Sequence, residues 1–135
     1  LLDDPLYLLS ARRGSTLAAL HDATWIAGCE RCRSHLLSLC ADAGYEPRIG
    51  YISDDMVVMQ ALVAAGLGVT TIPGLALRAH RAKGIVATEL PGSQRHVYAA
   101  TYGEPPDPPA TAALLAALAE AAMSATSPGG PRSRN

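Results

Sequence analysis

Ser53-Asp54-Asp55-Met56-Val57-Val58-Met59-Gln60-Ala61-Leu62-Val63-Ala64-Ala65-Gly66-Leu67-Gly68-Val69-Thr70-Thr71-Ile72-Pro73 is the stretch on which the fold turns. It opens with a helix cap, Ser53 or Asp54, whose side-chain oxygen can hold free helix amides. An apolar helix is predicted from Met56 to Ala65. It stops at Gly66, the residue best suited to the left-handed turn after a helix. Val69 to Ile72 is an apolar, β-branched run closed by Pro73, which reads as a short buried strand. Helix, glycine stop and strand together make half of a βαβ unit. The helix is apolar nearly all round, which predicts a place between layers rather than on a surface.

Outward from this stretch the same punctuation recurs. Leu6 to Ser10 is a short apolar strand. Ala11 to Ala23 is a polar connection in which Leu17 to Leu20 forms one helical turn. Thr24 to Gly28 is a buried strand, and a helix follows from Glu30 to Ala43, ending at Gly44. Cys32, Leu36, Leu39, Cys40 and Ala43 share one face of it at helical spacing. Pro47 separates it from the strand Arg48 to Ile52. Beyond Pro73, a short helix (Leu75 to Ala82) ends at Gly84, and a strand (Ile85 to Leu90) stops at Pro91-Gly92. Arg95 to Tyr102 is a further strand, Glu104 to Pro109 a Pro-rich linker, and Thr111 to Met123 the last helix. That helix carries a stripe of Leu114, Leu115, Leu118 and Ala122. Ser124 to Asn135 is Ser/Gly/Pro-rich and is expected to be disordered. Alternating strands and helices argue an α/β fold with a mostly parallel sheet and flanking helices.

Composition bounds the function. The 135 residues are about half apolar, enough for a real core in one modest domain. A formal net charge of −1 gives no general attraction to nucleic acid or anionic membrane. No apolar run reaches the length of about 18 residues that a membrane span needs. The first residues form no basic, apolar, cleavable leader, and the lack of an initiating Met is expected of a fragment. Cys29, Cys32 and Cys40 are an odd number confined to one stretch, which is not a secreted disulfide framework. A reducing cytoplasm is the expected location.

Four segments, in this order and spacing, resemble the effector-binding domain of LysR-type transcriptional regulators. They are Leu6-Tyr7-Leu8-Leu9; Trp25-Ile26-Ala27-Gly28; Leu39-Cys40-Ala41-Asp42-Ala43-Gly44-Tyr45-Glu46-Pro47; and Val63-Ala64-Ala65-Gly66-Leu67-Gly68-Val69 with Ile72-Pro73. The resemblance covers about residues 1 to 123. It implies the type 2 periplasmic-binding-protein fold, in which two α/β subdomains are joined by crossing strands around a small-molecule cleft. Residues 1–10 would then hold a crossing strand and 11–84 the second subdomain. Residues 85–123 would hold the other crossing strand and an incomplete return to the first subdomain, before the tail 124–135. The rest of the first subdomain and an N-terminal winged helix-turn-helix are expected upstream.

Ligands in such folds sit where strands run into helix N-termini. The start of the helix at Gly28, Cys29, Glu30 and Arg31 offers free amides and a positive dipole end. Arg31 adds a bidentate cation, and Glu30 departs from a pure anion site. Both charges are equally explained as first-turn surface residues. The resemblance places Ser53 and Asp54 at a second cleft-facing helix start; simple N-capping is the favoured account of them, and the two roles can coexist. Thr71 and Pro73 lie at a strand end near the expected cleft, where ordinary strand termination also explains them.

Cys29-x-x-Cys32 opens a helix after a strand, a position that lowers a thiol pKa and supports redox chemistry. The same cysteines also fit an apolar core face. Cys29, Cys32 and His35 could be drawn as metal ligands, but one CxxC without a second pair argues against zinc. His21, His80 and His96 are scattered and belong to no catalytic pattern. Arg78, His80, Arg81 and Lys83 read as a solvated basic face.

The sequence is therefore read as the effector-sensing module of a LysR-like bacterial regulator. It is not read as an enzyme, and no cofactor, metal or membrane contact is expected. Its partners would be a small-molecule effector, DNA through a separate N-terminal domain, and further copies of itself. A solute-binding protein of the same fold and a Cys-based redox protein are the alternatives.

Overall fold

The computed structural model describes residues 1–126. Its elements are β1 (Leu2–Ser10), β2 (Thr24–Ala27), α1 (Glu30–Asp42), β3 (Arg48–Ile52), α2 (Met56–Ala64), β4 (Thr70–Pro73), α3 (Gly74–Ala79), β5 (Val86–Val97) and α4 (Pro109–Thr126). A single 3-10 turn at Ala18–Leu20 interrupts the first connection. The chain forms two compact units. One is Pro5–Gln94; the other is Leu1–Asp4 with the chain from Arg95 onward.

The Pro5–Gln94 unit is a three-layer α/β sandwich whose middle layer is dictated by alternation. Successive strand residues point to opposite faces of a sheet. Trp25 and Ala27 accordingly join Leu8, Leu36, Cys40 and Val69 in one core beneath α1. Ile26 joins Leu9, Met59, Val63, Ile72 and Ile85 in another beneath α2 and α3. β2 and β3 pair in parallel, with a register shift that skips Gly50. Trp25 also bridges Val69 in parallel fashion, which carries the sheet across to β4. β4 then pairs with β1 antiparallel, Leu9 opposite Thr70 and Leu6 opposite Pro73, and β5 follows on the far side of β1. Parallel pairing thus holds around β2, while β1 pairs antiparallel with β4.

The turn from α2 into β4 makes this joint possible. Gly66 takes φ +74° after the helix, where the Gly66 amide donates to Val63 O at 2.9 Å. Gly68 then passes so close to β2 that a Cβ would sit 2.8 Å from Thr24 O and 3.1 Å from Ile26 Cγ1. That approach lets the Val69 amide donate to Thr24 O and the Ile26 amide to Val69 O, both at 2.9 Å.

Several expectations from the sequence are corrected here. α2 is an outer layer, not a helix between layers. Val57 and Val58 are 49% and 44% exposed, while its one polar residue, Gln60, is fully buried. Gln60 is a clip: its Nε2 donates to His80 O at 3.0 Å and its Oε1 accepts from the Ala82 amide at 2.9 Å. Those two bonds hold the chain that follows α3, which ends at Ala79 rather than Ala82.

The two strands expected at Ile85 to Leu90 and Arg95 to Tyr102 are one strand, β5, ending at Val97. Pro91 is tolerated because β5 is the outer strand beside β1, where a missing amide breaks no second ladder. The stripe on α4 is rotated from the expected one. Ala122 is buried and Thr111, Leu115 and Ala125 are half-buried, while Leu114 and Leu118 are exposed. α4 continues through Thr126, past the expected end at Met123. Of the expected disordered tail, residues 127–135 lie outside the described residues. Within its own unit, buried Asp4 is paired by Arg95 Nε at 2.8 Å, and the Leu1 amino group donates to Val97 O at 2.6 Å.

Three stability outcomes follow. Gln60→Leu strands the His80 carbonyl and the Ala82 amide, and is expected to lower unfolding free energy by about 2–4 kcal/mol. Gly68→Ala forces a methyl into the Thr24 carbonyl and is expected to lose about 1–3 kcal/mol. Gly66→Ala, strained only by its positive φ, should lose about 1–2 kcal/mol. Urea titration followed by circular dichroism measures all three.

Candidate functional site

The strand-to-helix junctions lie side by side because their strands are parallel. β2 runs into α1 and β3 into α2 at the same edge of the sheet. The Ser53 amide donates to Ala27 O at 3.0 Å, tying the end of one strand to the end of the other. Gly28 to Arg31 and Ser53 to Asp55 are thereby brought together. β4 flanks β2 on its other side through the Trp25–Val69 bridge, and α3 starts directly from Pro73. Three helices therefore begin at the carboxyl edge of the parallel strands.

At the first junction Cys29 is the N-cap of α1, with φ −57° and ψ 167°. Its Sγ accepts from the Cys32 amide at 3.5 Å and lies 3.0 Å from Cys32 Sγ. Both cysteines are exposed, and so are the Glu30 carboxylate and the Arg31 guanidinium. The Cys29 thiol is held below its ordinary range. The Cys32 thiol is the main cause; the Cys32 and Arg31 amides add to it, and the nearby Asp54 charge opposes it. Cys40, at the far end of the same helix, goes the other way, its thiol pushed up by burial. Cys32 was expected on the same buried face as Leu36 and Cys40. It lies outside the core because it occupies the first turn, beyond the strand that covers the rest of the helix.

At the second junction the cap is Asp55, not Ser53 or Asp54. Asp55 Oδ1 accepts from the Val57 amide at 2.8 Å and the Val58 amide at 3.2 Å. Ser53 Oγ instead accepts from the Asp55 amide at 3.2 Å, so it shapes the turn before the cap. Asp54 is left exposed. Three consecutive capping residues precede Met56, and the sequence does not tell them apart. The one whose oxygen reaches the second and third helical amides is the one adjoining the first helical residue.

Thr71 and Pro73 sit within the antiparallel ladder, opposite Leu8 and Leu6. Thr71 is half-buried and Pro73 buried. Their neighbour Thr70, which the sequence did not single out, is buried and donates from Oγ1 to Ile26 O at 2.7 Å. His35 is not gathered with the two cysteines; its Nε2 lies 3.1 Å from Ser93 Oγ. Among the described residues no three His, Cys, Asp or Glu side chains are grouped to hold a metal. A shallow groove of about 600 Å³ is lined by Leu37, Ala41, Gly44, Tyr45, Glu46 and Pro47. It lies at the C-terminal end of α1, and none of the predicted site residues lines it. Among the described residues no helix is long and apolar enough to cross a membrane.

The arrangement can do two things chemically. It offers hydrogen-bonding groups of both signs (Arg31, Ser53, Glu30, Asp54) around one edge, and it presents a pair of thiols there. Both helix N-termini are already self-capped, by Cys29 sulfur and by Asp55 carboxylate, so a ligand would meet side chains before bare amides.

A family model described as LysR substrate binding domain matches residues 1–123. No curated protein matches the chain. Among solved structures, the regulatory domain of CcmR from Synechocystis PCC6803 in complex with 2-PG is similar with a TM-score of 0.71 at 19% identity. That likeness covers 90% of this chain and 64% of the other. The effector binding domain of QuiR in complex with shikimate gives 0.64 at 20% identity, over 90% of this chain and 62% of that one. CbnR, a LysR family transcriptional regulator, gives 0.55 at 23% identity over 69% of this chain. The chain spans only 36% of the CbnR chain. At these identities the likeness speaks to the fold. Together with the family model over most of its length, it places the chain: it belongs to the LysR substrate binding domain family.

Proposed function

We propose that this chain is the effector-sensing part of a LysR-type transcriptional regulator, acting in the cytoplasm and not as an enzyme. The observation that carries the reading is the meeting of two helix starts at one sheet edge, Gly28 to Arg31 beside Ser53 to Asp55, within a chain of this family. Such an edge is where α/β folds bind small molecules. Gly28, Cys29, Glu30, Arg31, Ser53 and Asp54 would line the effector cleft, with Thr71 and Pro73 near its far side. Residues 11–84 would be the second subdomain, β1 and β5 would carry the crossings, and 95–123 would return to the first. DNA contact would reside in a separate winged helix-turn-helix. That similar domains were solved with 2-PG and with shikimate supports a small polar effector.

The mechanism is differential affinity. A molecule that fits one cleft geometry better than another shifts the population toward it, by no more than its difference in binding free energy. The exposed apolar side chains Ile52, Val57, Val58 and Leu67 support self-association as the means of transmission. Leu36 and Cys40, by contrast, are core and cannot serve as subunit contacts.

The reading frame that encodes the residues before Leu1 is the first test. It is expected to specify a winged helix-turn-helix, and its absence there would sink the regulator reading. In the protein so defined, the effector concentration that half-changes DNA binding is the second. Arg31→Ala and Ser53→Ala should each raise it about tenfold, which corresponds to about 1.4 kcal/mol. DNA affinity without effector should not change.

A further inference from the structure

We propose that Cys29 and Cys32 form a reversible dithiol–disulfide site at the start of α1, oxidised by low-molecular-weight disulfides. Their sulfurs lie 3.0 Å apart in an S–H···S contact, and both side chains are exposed. A disulfide has an S–S length of about 2.05 Å, so the pair needs an approach of about 1 Å, within the reach of side-chain rotation. The spacing suits it: Cys29 is the N-cap and Cys32 the third residue of the helix, and the cap bond from the Cys32 amide already turns the two sulfurs toward each other. The third cysteine is excluded, because Cys40 is fully buried beneath the sheet.

Cys29 is the attacking sulfur. The thiolate is the nucleophilic form. The Cys32 amide donates to Cys29 Sγ, the two sulfurs share the S–H···S contact, and together they hold the Cys29 thiol below the ordinary range. Buried Cys40 is held above it. In the first step Cys29 thiolate attacks one sulfur of a small disulfide RSSR. A Cys29–SR bond forms, the S–S bond breaks and RS⁻ leaves. In the second step Cys32 sulfur attacks Cys29 Sγ, the Cys29–SR bond breaks, and a second RS⁻ departs. The protons from the two cysteines end on the two RS⁻ groups. The chain loses two electrons and two protons, and RSSR becomes two RSH. A reducing dithiol reverses both steps.

The consequence at the site is the loss of a titratable group and a gain in stiffness. Oxidation removes the Cys29 thiol near Asp54 and ties the cap to the first turn of α1. On the effector reading above, this alters what a ligand meets at that junction. The thiol chemistry itself does not depend on that reading.

The test uses the whole chain equilibrated with mixtures of reduced and oxidised glutathione, quenched by alkylation and read by peptide mass spectrometry. Cys29 and Cys32 should lose alkylation in step, two thiols of the three, and regain it with dithiothreitol. A linked Cys29–Cys32 peptide should appear, with Cys40 still reduced. In Cys32→Ser, glutathione should be trapped on Cys29; in Cys29→Ser, trapping should be at least tenfold slower. With iodoacetamide alone, the pH midpoint for Cys29 alkylation should lie below that of an ordinary exposed thiol and rise in Cys32→Ala, which removes the main cause of the shift. Full alkylation of both cysteines at every glutathione ratio would overturn the proposal, and so would a linkage through Cys40 or between two chains. Circular dichroism of each variant separates loss of the site from loss of the fold.

Discussion

The passage of Gly68 against the backbone of β2 is the constraint from which the rest of the larger unit follows. A strand at the middle of a sheet must have its amides and carbonyls met on both edges, because a buried unpaired group costs about 1–3 kcal/mol. β3 meets one edge of β2. The other is met by the Val69 amide and carbonyl, each bonded at 2.9 Å. The bonds form only because residue 68 lacks a Cβ that would stand 2.8 Å from Thr24 O. Once β2 is central, Trp25 and Ala27 must face one layer and Ile26 the other. The helices then have two separate cores to cover.

The same arrangement accounts for an inversion of polarity on α2. A helix rich in Val, Leu and Met was expected to be buried all round, yet Val57 and Val58 face outward while Gln60 faces in beside Met59 and Val63. The glutamine is inside because the chain after α3 has no regular element to satisfy the His80 carbonyl and the Ala82 amide. Its amide side chain does so, with one donor and one acceptor in the required order. The exposed valines are left for a contact that the folded unit does not itself supply.

Two kinds of chemistry converge where β2 and β3 end. The backbone bond from Ser53 to Ala27 holds the junctions together without using any side chain. Side chains at that edge are therefore free to differ in character. One junction is capped by a carboxylate, which leaves a serine and an aspartate at the rim. The other is capped by a sulfur, which draws a second sulfur to it. A thiol as N-cap is a weaker acceptor than an oxygen, and what it offers in exchange is reactivity.

Local chain chemistry determined much of this. The bounds of β3 and the starts of β2, α1 and α2 follow from strand formers, capping residues and the glycines at 44 and 66, all of which act within a few residues. The family likeness rested on the same local signals, taken in order. The sequence also pointed to both junctions, since each is a strand running into a helix. Only the tertiary structure decided the rest. It decided that Asp55 caps α2, that Cys32 lies outside the core, that β5 runs through Pro91, and that α4 turns Thr111, Leu115 and Ala122 inward. Each of these depends on which neighbour lies across the sheet or beside the helix. Periodicity in one chain segment says which residues share a face, but only packing against a distant segment says which face is covered.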